Sequence, residues 1–569
     1  MSWIDWIILV CTLSCIIGYG VYKSNATKNL EGYFLSNRNM PWYLVLLGIM
    51  GTQASAITFL SAPGQAYTDG MRFVQYYFGL PIAMVILSIT FVPLFHKLKV
   101  YTAYEFLEQR FDVKTRTFTS FLFLLSRGLS TGISIYAPSI ILSSILGWDI
   151  FWTNIFMGGL LIIYTVTGGA KAVAYTQQLQ LAIIFFGMGL AAYYMIQGMP
   201  AGFGVKEALE VGGAAGKMNI ITTGFTEDGF NWKDKYNIIS GILGGLFLAL
   251  SYFGTDQSQV GRYITAKDTQ ESKLGLLMNG MVKIPMQFLI LMIGIFMFTF
   301  YQFVATPIFF NQVEEKKLLS SPRQLEAIQI QKQFDATQTA KQQALLNWKQ
   351  EPEKAKSDWL QLNATSDSLR KSYQALMKLP EVQADSNDTN YIFIRFVIDY
   401  LPRGWVGLLI AIIFLAAWGS IAAALNSLAS STMVDFYQRF RKPNNQNDST
   451  NQDYRLSKWI TFGWGIFCIA VAQFASGMGS LIEAVNVLGS LFYGVMLGIF
   501  LVAFYIKSIQ GTAVFYAAII GELIVVALYL LDDYNIIGLG FLWLNVAGAL
   551  VVILLGWLFQ SFFVNRSKA

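Results

Sequence analysis

Hydrophobic residues along this chain fall into long runs separated by short polar stretches. Runs of the size needed to cross about 30 Å of hydrocarbon lie near 3–22, 42–65, 73–95, 117–146, 150–167, 174–197 and 236–255. More follow near 275–304, 401–437, 458–475, 481–506, 511–531 and 537–561. Every backbone N–H and C=O in lipid needs an internal partner, so runs of this length predict helices rather than strands, about thirteen in all. The run at 401–437 is long for one span, and its end is expected to project beyond the bilayer.

Residues 306–392 break this pattern. They are rich in Gln, Lys, Ala, Glu and Ser, and EAIQIQKQFDATQTAKQQALLNWKQ reads as a helix. Pro352 interrupts it, and SDWLQLNATSDSLRKSYQAL reads as a second helix. The prediction is an extramembrane helical hairpin, dispensable for the chemistry of the membrane bundle and a candidate contact for another protein.

Composition strengthens the membrane reading. The 569 residues are 54% hydrophobic and 13% charged, against about 25% charged in soluble domains, and mean hydropathy is +0.48. A net charge of +6 could point to nucleic acid or anionic lipid. The basic residues sit mainly in short loops, however, as cytoplasmic anchors do, and no nucleic-acid partner is expected. Lys23, Lys28 and Arg38 follow the first span, Lys97, Lys99, Lys114 and Arg116 the third, and Arg262, Lys267 and Lys273 the seventh. Arg439, Arg441 and Lys442 follow the ninth, and Lys507, Arg566 and Lys568 close the series. All fall on one side if the N-terminus is outside and the C-terminus inside, as an odd span number also requires. The expected location is the plasma (cell inner) membrane. Asp5 and the absence of an early basic residue argue against a cleaved signal peptide. The three cysteines lack metal-ligand spacing, and the lone His96 excludes His-based metal clusters and most His-dependent catalysis.

Charge inside a membrane bundle is costly and points to function. Arg127 lies in the fourth span and Lys283, close to Pro285, in the eighth. Each is either a ligand-facing cation or a structural group that snorkels or pairs with a helix end. No Asp or Glu falls in the middle of spans two to eight, and Glu522 lies in the twelfth. Proton-driven carriers usually route protons through membrane acids, so this scarcity disfavours proton coupling. Two stretches, GIMGTQASAITFLSAPG at 48–64 and AAWGSIAAALNSLASSTM at 416–433, put small residues in mid-span. They serve either close helix packing or a broken helix whose free carbonyls, facing hydroxyls, cage Na+ at the midplane. No G-x-x-x-x-G-K-[ST] string is present to handle ATP.

At these residues the chain resembles the sodium/solute symporter family, which carries sugars, proline, iodide, monocarboxylates, pantothenate and sialic acid. Five strings stand in family order: EGYFLSNRNMPWY (31–43), VYTAYEFLEQRF (100–111), YTVTGGAKAV (164–173), GTDQSQVGRY (254–263) and NSLASSTMVDFY (426–437). The match runs from Gly32-Tyr33-Phe34-Leu35 to about residue 506, apart from the hairpin. It implies an all-α integral membrane protein with a LeuT-type fold of two five-helix inverted repeats, at about 41–197 and 236–506. The chain then divides into a leading helix with core helices 1–7 (1–305), the hairpin (306–392), core helices 8–10 (393–506), and two trailing helices with a short tail (507–569).

The resemblance also implies sites. The family's sodium site maps to the carbonyls of Gly51 and Ala54 on a broken core helix 1. On core helix 8 it maps to the Ala416 carbonyl and a hydroxyl pair at Gly419 and Ser420. Ser420 fits, whereas Gly419 lacks a hydroxyl, so water or a neighbouring oxygen must substitute. Members with a second sodium often carry an Asp in core helix 5. Here the string is Tyr175-Thr176-Gln177, and a neutral amide cannot balance a cation, so one coupling ion is expected. The solute pocket maps to Thr58, the Gln75-Tyr76-Tyr77 cluster, Tyr252, Lys283 and Asn486. Sugar carriers hold a Glu on core helix 2 where this chain has Tyr77, and carboxylate carriers can hold an Arg on core helix 3, the helix of Arg127.

The expected function is therefore a sodium-coupled symporter that imports a small organic solute by alternating access, not an enzyme. Lys283 and Arg127, without a mid-span acid to neutralise them, favour an anionic or carboxylate-bearing solute over a sugar or polyol, which remains the alternative. A transporter-like sensor would need a signalling module, for which the tail after residue 561 leaves no room, and no selectivity-filter string supports a channel.

Overall fold

A computed structural model describes residues 1–24, 38–348, 351–441, 446–475 and 478–566. The lead-in string at 32–35 lies outside the described residues, as do the side chains of 167–176, Tyr175 and Thr176 among them.

The chain folds into a helical bundle. Helix α1 (Trp3–Ser24) leads, followed by α2 (Trp42–Gln53) and α3 (Ala56–Asp69). A 3-10 turn (Met71–Tyr77) opens the next span, continued by α4 (Leu80–Ile89) and α5 (Phe91–Leu98). After the short α6 (Glu105–Arg110) come α7 (Val113–Leu146), α8 (Ile150–Gln197) and the outer helix α9 (Val205–Ala214). The second half opens with a π turn (Ser240–Gly244), α10 (Gly245–Thr255), α11 (Gln257–Tyr263) and α12 (Thr269–Phe300). Three helices form the insertion: α13 (Gln312–Leu319), α14 (Gln324–Leu346) and α15 (Pro352–Met377). The chain re-enters the bundle through α16 (Ile392–Tyr400) and α17 (Trp405–Ser431), and closes with α18 (Gln446–Ala472), α19 (Leu481–Tyr505), α20 (Gly511–Asp533) and α21 (Leu542–Arg566). Among the described residues, eight helices are long and apolar enough to cross a membrane, nine with the bent pair α2–α3.

The first helix of each half is broken. The axes of α2 and α3 meet at 60°, because Ala54 (φ −79°, ψ 62°) and Ser55 (φ −78°, ψ 170°) leave the helical region. Between α10 and α11 the extended residue is Asp256 (φ −79°, ψ 116°), whose carboxylate caps α11 by accepting the Ser258 N–H at 2.8 Å. A break at the same place in both halves is what a repeated five-helix unit produces.

One expectation changes. Residues 150–197 form one continuous helix of 48 residues rather than two spans. Gly168 and Gly169 sit where the joint is expected, but two glycines cost a helix only about 1 kcal/mol each, and no proline interrupts it.

Three of the five family strings meet at one end of the bundle. In VYTAYEFLEQRF, Thr102 donates to Asp435 at 2.7 Å, the Tyr104 hydroxyl to the Thr255 carbonyl at 2.8 Å, and the Ala103 N–H to Gln257 Oε1 at 3.0 Å. Arg116 then bridges Asp435 and Glu108, at 2.8 Å each. The loop after core helix 2 is thereby bolted to the break of core helix 6 and the end of core helix 8.

Where a two-helix hairpin is expected, the insertion has three helices, with Pro352 at the first turn of α15, where its missing N–H costs nothing. A small core that includes Phe309, Leu318, Phe334, Tyr373 and Met377 holds it together. Its C-terminal edge belongs to the bundle: Ser61 of α3 donates to Asn390 at 2.8 Å, and Asn390 donates to the Gly479 carbonyl at 2.9 Å. Here α3 is crossed so closely that a Cβ on Gly64 would sit 2.0 Å from the Thr389 carbonyl oxygen.

Candidate functional site

The break in core helix 1 sets up the site. A helix end leaves its last carbonyls without intrahelical donors. Thr58 reaches back to the Gln53 carbonyl at 3.0 Å, and the Ala54 N–H to Met50 at 2.7 Å. Among the described residues no donor reaches the carbonyls of Gly51 or Ala54. Opposite, on α17, the Ser420 hydroxyl contacts the carbonyls of Ala416 and Ala417, each at 3.0 Å.

Gln177 of α8 stands between these helices. It is fully buried, its Nε2 donates to the Gly419 carbonyl at 3.3 Å, and its Oε1 has no hydrogen-bond partner among the described residues. A Cβ on Gly51 would lie 2.8–3.0 Å from the Gln177 side chain, and one on Gly419 would lie 2.6 Å from Gln180 Oε1. Glycine at these two positions makes room for two amides. Sequence reasoning weighed Gln177 only for what it lacks in charge and passed over Gln180. The signal available was Gly419 itself, since a glycine in place of a hydroxyl leaves a volume for something else to fill.

A cavity of about 150 Å3 adjoins the break. Thr58, Tyr77, Arg127, Tyr252, Lys283, Ser420 and Asn486 all line it, together with Tyr76. Gly51, Ala54, Ala416 and Gly419 lie behind its wall, next to the lining residues Thr52, Gln53, Ser55 and Ser420. Gln75 does not reach it. Its amide is buried on the other side of the 3-10 turn, donating to Thr222 Oγ1 and the Tyr236 carbonyl at 2.9 Å each and accepting the Thr222 N–H at 3.1 Å. Side chains on a 3-10 helix turn by about 120° per residue, so neighbours in sequence face different ways. Gln75 is thus a latch to the loop that carries Thr222 and Tyr236.

Polar groups in the cavity are held in place. The Tyr76 hydroxyl donates to Asn486 Oδ1 at 2.8 Å, and the rings of Tyr76 and Tyr77 meet edge-on at 4.7 Å. The Lys283 ammonium sits 5.5 Å from the Tyr77 ring centroid, a cation–π distance. Lys283 is 2% exposed and makes no hydrogen bond or ion pair among the described residues.

Arg127 corrects an expectation. It is not without an acid: its Nη2 pairs with the buried Asp256 and donates to the Tyr493 hydroxyl at 2.9 Å, while its Nε reaches Asp256 at 3.1 Å. Tyr493 in turn donates to Asp256 at 2.9 Å. By hydropathy, Asp256 reads as the polar boundary of the seventh span. The break at that residue carries it into the bundle instead. Nη1 of Arg127 takes part in none of these bonds, and the guanidinium lies 5.4 Å from the Tyr252 ring. No carboxylate lines the cavity among the described residues, whereas Arg127 and Lys283 both do. Asp256 and Tyr493 are site-supporting residues that the sequence reading missed, although Asp256 lies inside the string GTDQSQVGRY.

Known proteins share this architecture. The sodium/sialic acid symporter NanT of Aliivibrio fischeri is 24% identical over 99% of this chain and 94% of its own. SiaT of Proteus mirabilis, also a sodium/sialic acid symporter, is 25% identical over 100% and 97%. The human sodium-coupled monocarboxylate transporter 1 is 31% identical over 47% of this chain and 43% of its own. A solved structure of a Na+-coupled sialic acid symporter, in a substrate-bound outward-open state, superposes with a TM-score of 0.74 at 23% identity, covering 99% of this chain and 98% of its own. The LeuT-like fold is thereby established. The model of the sodium:solute symporter family matches residues 33–316 and 374–521, leaving out the middle of the insertion. The chain belongs to the sodium:solute symporter family, and is a multi-pass membrane carrier that couples sodium to the movement of a small solute.

Proposed function

We propose that this symporter imports a small carboxylate-bearing, hydroxylated solute together with one sodium ion. The observation that carries the reading is Lys283, a buried cation that faces the cavity with no carboxylate there to answer it. A buried charge without a partner is strongly disfavoured, and a solute carboxylate would supply charge-assisted hydrogen bonds. Arg127 Nη1 offers a second donor. Hydroxyl groups of the solute would meet Asn486, held by Tyr76, and the hydroxyls of Ser130, Thr131 and Ser134. Sodium would sit at the junction of α2 and α17, bound by the carbonyls of Gly51, Ala54 and Ala416 and the Ser420 hydroxyl. The unpartnered carbonyls at the break support this placement. The placement of basic residues supports an outside N-terminus and an inside C-terminus.

Uptake into proteoliposomes under an imposed sodium gradient tests the proposal, with sialic acid, lactate and glucose as solutes. Accumulation of at least one carboxylate is expected, and Lys283→Gln should raise its half-saturating concentration about tenfold or more, since a charge-assisted hydrogen bond contributes about 1.5–3 kcal/mol. Accumulation of glucose alone, or a Lys283→Gln variant with unchanged affinity for the carboxylate, would refute it.

A further inference from the structure

The insertion encloses a second cavity, of about 410 Å3, against the outer ends of α3 and α12. Its walls carry four cations, Lys217, Lys341, Arg370 and Lys371, and two carboxylates, Asp367 and Asp388. Arg370 and Asp388 satisfy one another at 2.5 Å, and each is held further: Arg370 donates to the Ile308 carbonyl at 2.9 Å, and Asp388 accepts the Phe310 N–H at 2.7 Å. Three ammonium groups are left to face one carboxylate. Lys217 donates to the Thr68 carbonyl at 2.8 Å. Among the described residues Lys341 makes no hydrogen bond or ion pair, although it is only 2% exposed. Burial pushes its ammonium down to about 8, with Lys217 adding to the effect and Asp367 opposing it. Two further polar atoms in the walls, Gln302 Oε1 and the Tyr301 hydroxyl, are buried without a hydrogen-bond partner among the described residues.

A cation this buried normally finds an anion, and the cavity has the volume for one. Four of the six charged residues in its walls, Lys341, Asp367, Arg370 and Lys371, lie in the part of the chain that the family model leaves out. The site thus joins a segment outside the family model to Lys217 and Asp388 within it. We propose that the insertion builds a second, sodium-independent binding site for a small oxyanion, held by Lys341, Lys217 and Lys371. The proposal does not depend on which solute the transport cavity accepts, because the two cavities share no lining residue.

Equilibrium binding to the purified full chain in detergent tests this, in sodium-free buffer, with radiolabelled sialic acid, lactate and inorganic phosphate as probes. Saturable binding of at least one probe is expected, weakened tenfold or more by Lys341→Met and retained by Lys341→Arg and by Lys283→Gln. Which probe binds distinguishes a carboxylate site from a phosphate site. Lys341→Met keeps the apolar stem and removes a buried charge, so the fold should persist. A thermal melt checks this, and Lys217→Met provides the same comparison at a second ammonium. The inference is overturned if none of the three probes binds without sodium. It is equally overturned if binding is unchanged in both Lys→Met variants, or is abolished by Lys283→Gln.

Discussion

Replacing Ser420 by alanine isolates the proposed sodium site. The hydroxyl carries one proton and two lone pairs. With two carbonyls at 3.0 Å competing for the proton, the lone pairs stay free for a cation. The next residue back, Gly419, has no hydroxyl to stand in. Losing this oxygen from the shell of an ion resembles losing a hydrogen bond to a charged group, about 1.5–3 kcal/mol, or roughly 10- to 150-fold in affinity. Water entering from the adjoining cavity would hold the loss toward the lower figure. The cost to the fold is small, because the bonds removed are back-bonds to the same helix. The assay is the sodium dependence of uptake at saturating solute, where the half-saturating sodium concentration should rise by about tenfold or more. A change below about threefold would refute the assignment. The converse substitution, Gly419→Ser, restores a hydroxyl at the cost of displacing only the flexible end of Gln180, and should lower the sodium requirement.

Other outcomes follow from the same geometry. Asp256→Asn leaves Arg127 buried without its counter-charge and should destabilise the protein by about 3–5 kcal/mol, read as a lower thermal midpoint in detergent. The double variant Arg127→Gln, Asp256→Asn should recover much of that loss, and its failure to do so would mean that the pair is not the source of the stability. With Gln177 in place of an acid, one sodium should move per solute, so a measured flux ratio of two would refute the single-ion reading.

Much of the fold was legible because a bilayer imposes a length on every span. The run at 42–65 and its small-residue centre announce both a helix and its break, and the polar run at 306–392 contains α13, α14 and α15, which pack around a small core of their own. What hydropathy could not show is polarity hidden at a break. Asp256 ends the apolar run at 236–255 and so reads as a boundary, yet the helix resumes at Gln257 and the acid sits at the centre of a contact with Arg127 and Tyr493. The Gln75-Tyr76-Tyr77 cluster failed for a different reason. A cluster in sequence is a cluster in space only where the backbone keeps its side chains on one face, and a 3-10 turn does not. Gln177 could be read for its charge but not for its position, because filling the space between two glycines is a property of helix packing.

In the proposed arrangement, sodium and solute both act on the same joint. The break between α2 and α3 contributes the Gly51 and Ala54 carbonyls to the proposed ion site and Thr58 to the solute cavity. Ser420 faces the cavity while its neighbour Ala416 stands behind the wall. An ion that draws the carbonyls of the break toward α17 also fixes the position of Thr58, which is tied to the Gln53 carbonyl at 3.0 Å. The ordering of that joint is then borne by whichever ligand binds first, and the second binds to a break already formed. Linkage requires the effect to be mutual: if sodium tightens solute binding by some factor, solute tightens sodium binding by the same factor. Beyond the joint, Tyr104 holds the carbonyl of Thr255, the last residue before the second break, and Arg127 holds Asp256 at that break. The second broken helix is therefore tied to the contact at the end of the bundle where the family strings converge. Ser420 of the proposed ion site lies on α17, which runs on into the turn that carries Asp435, so that site shares one helix with the same contact.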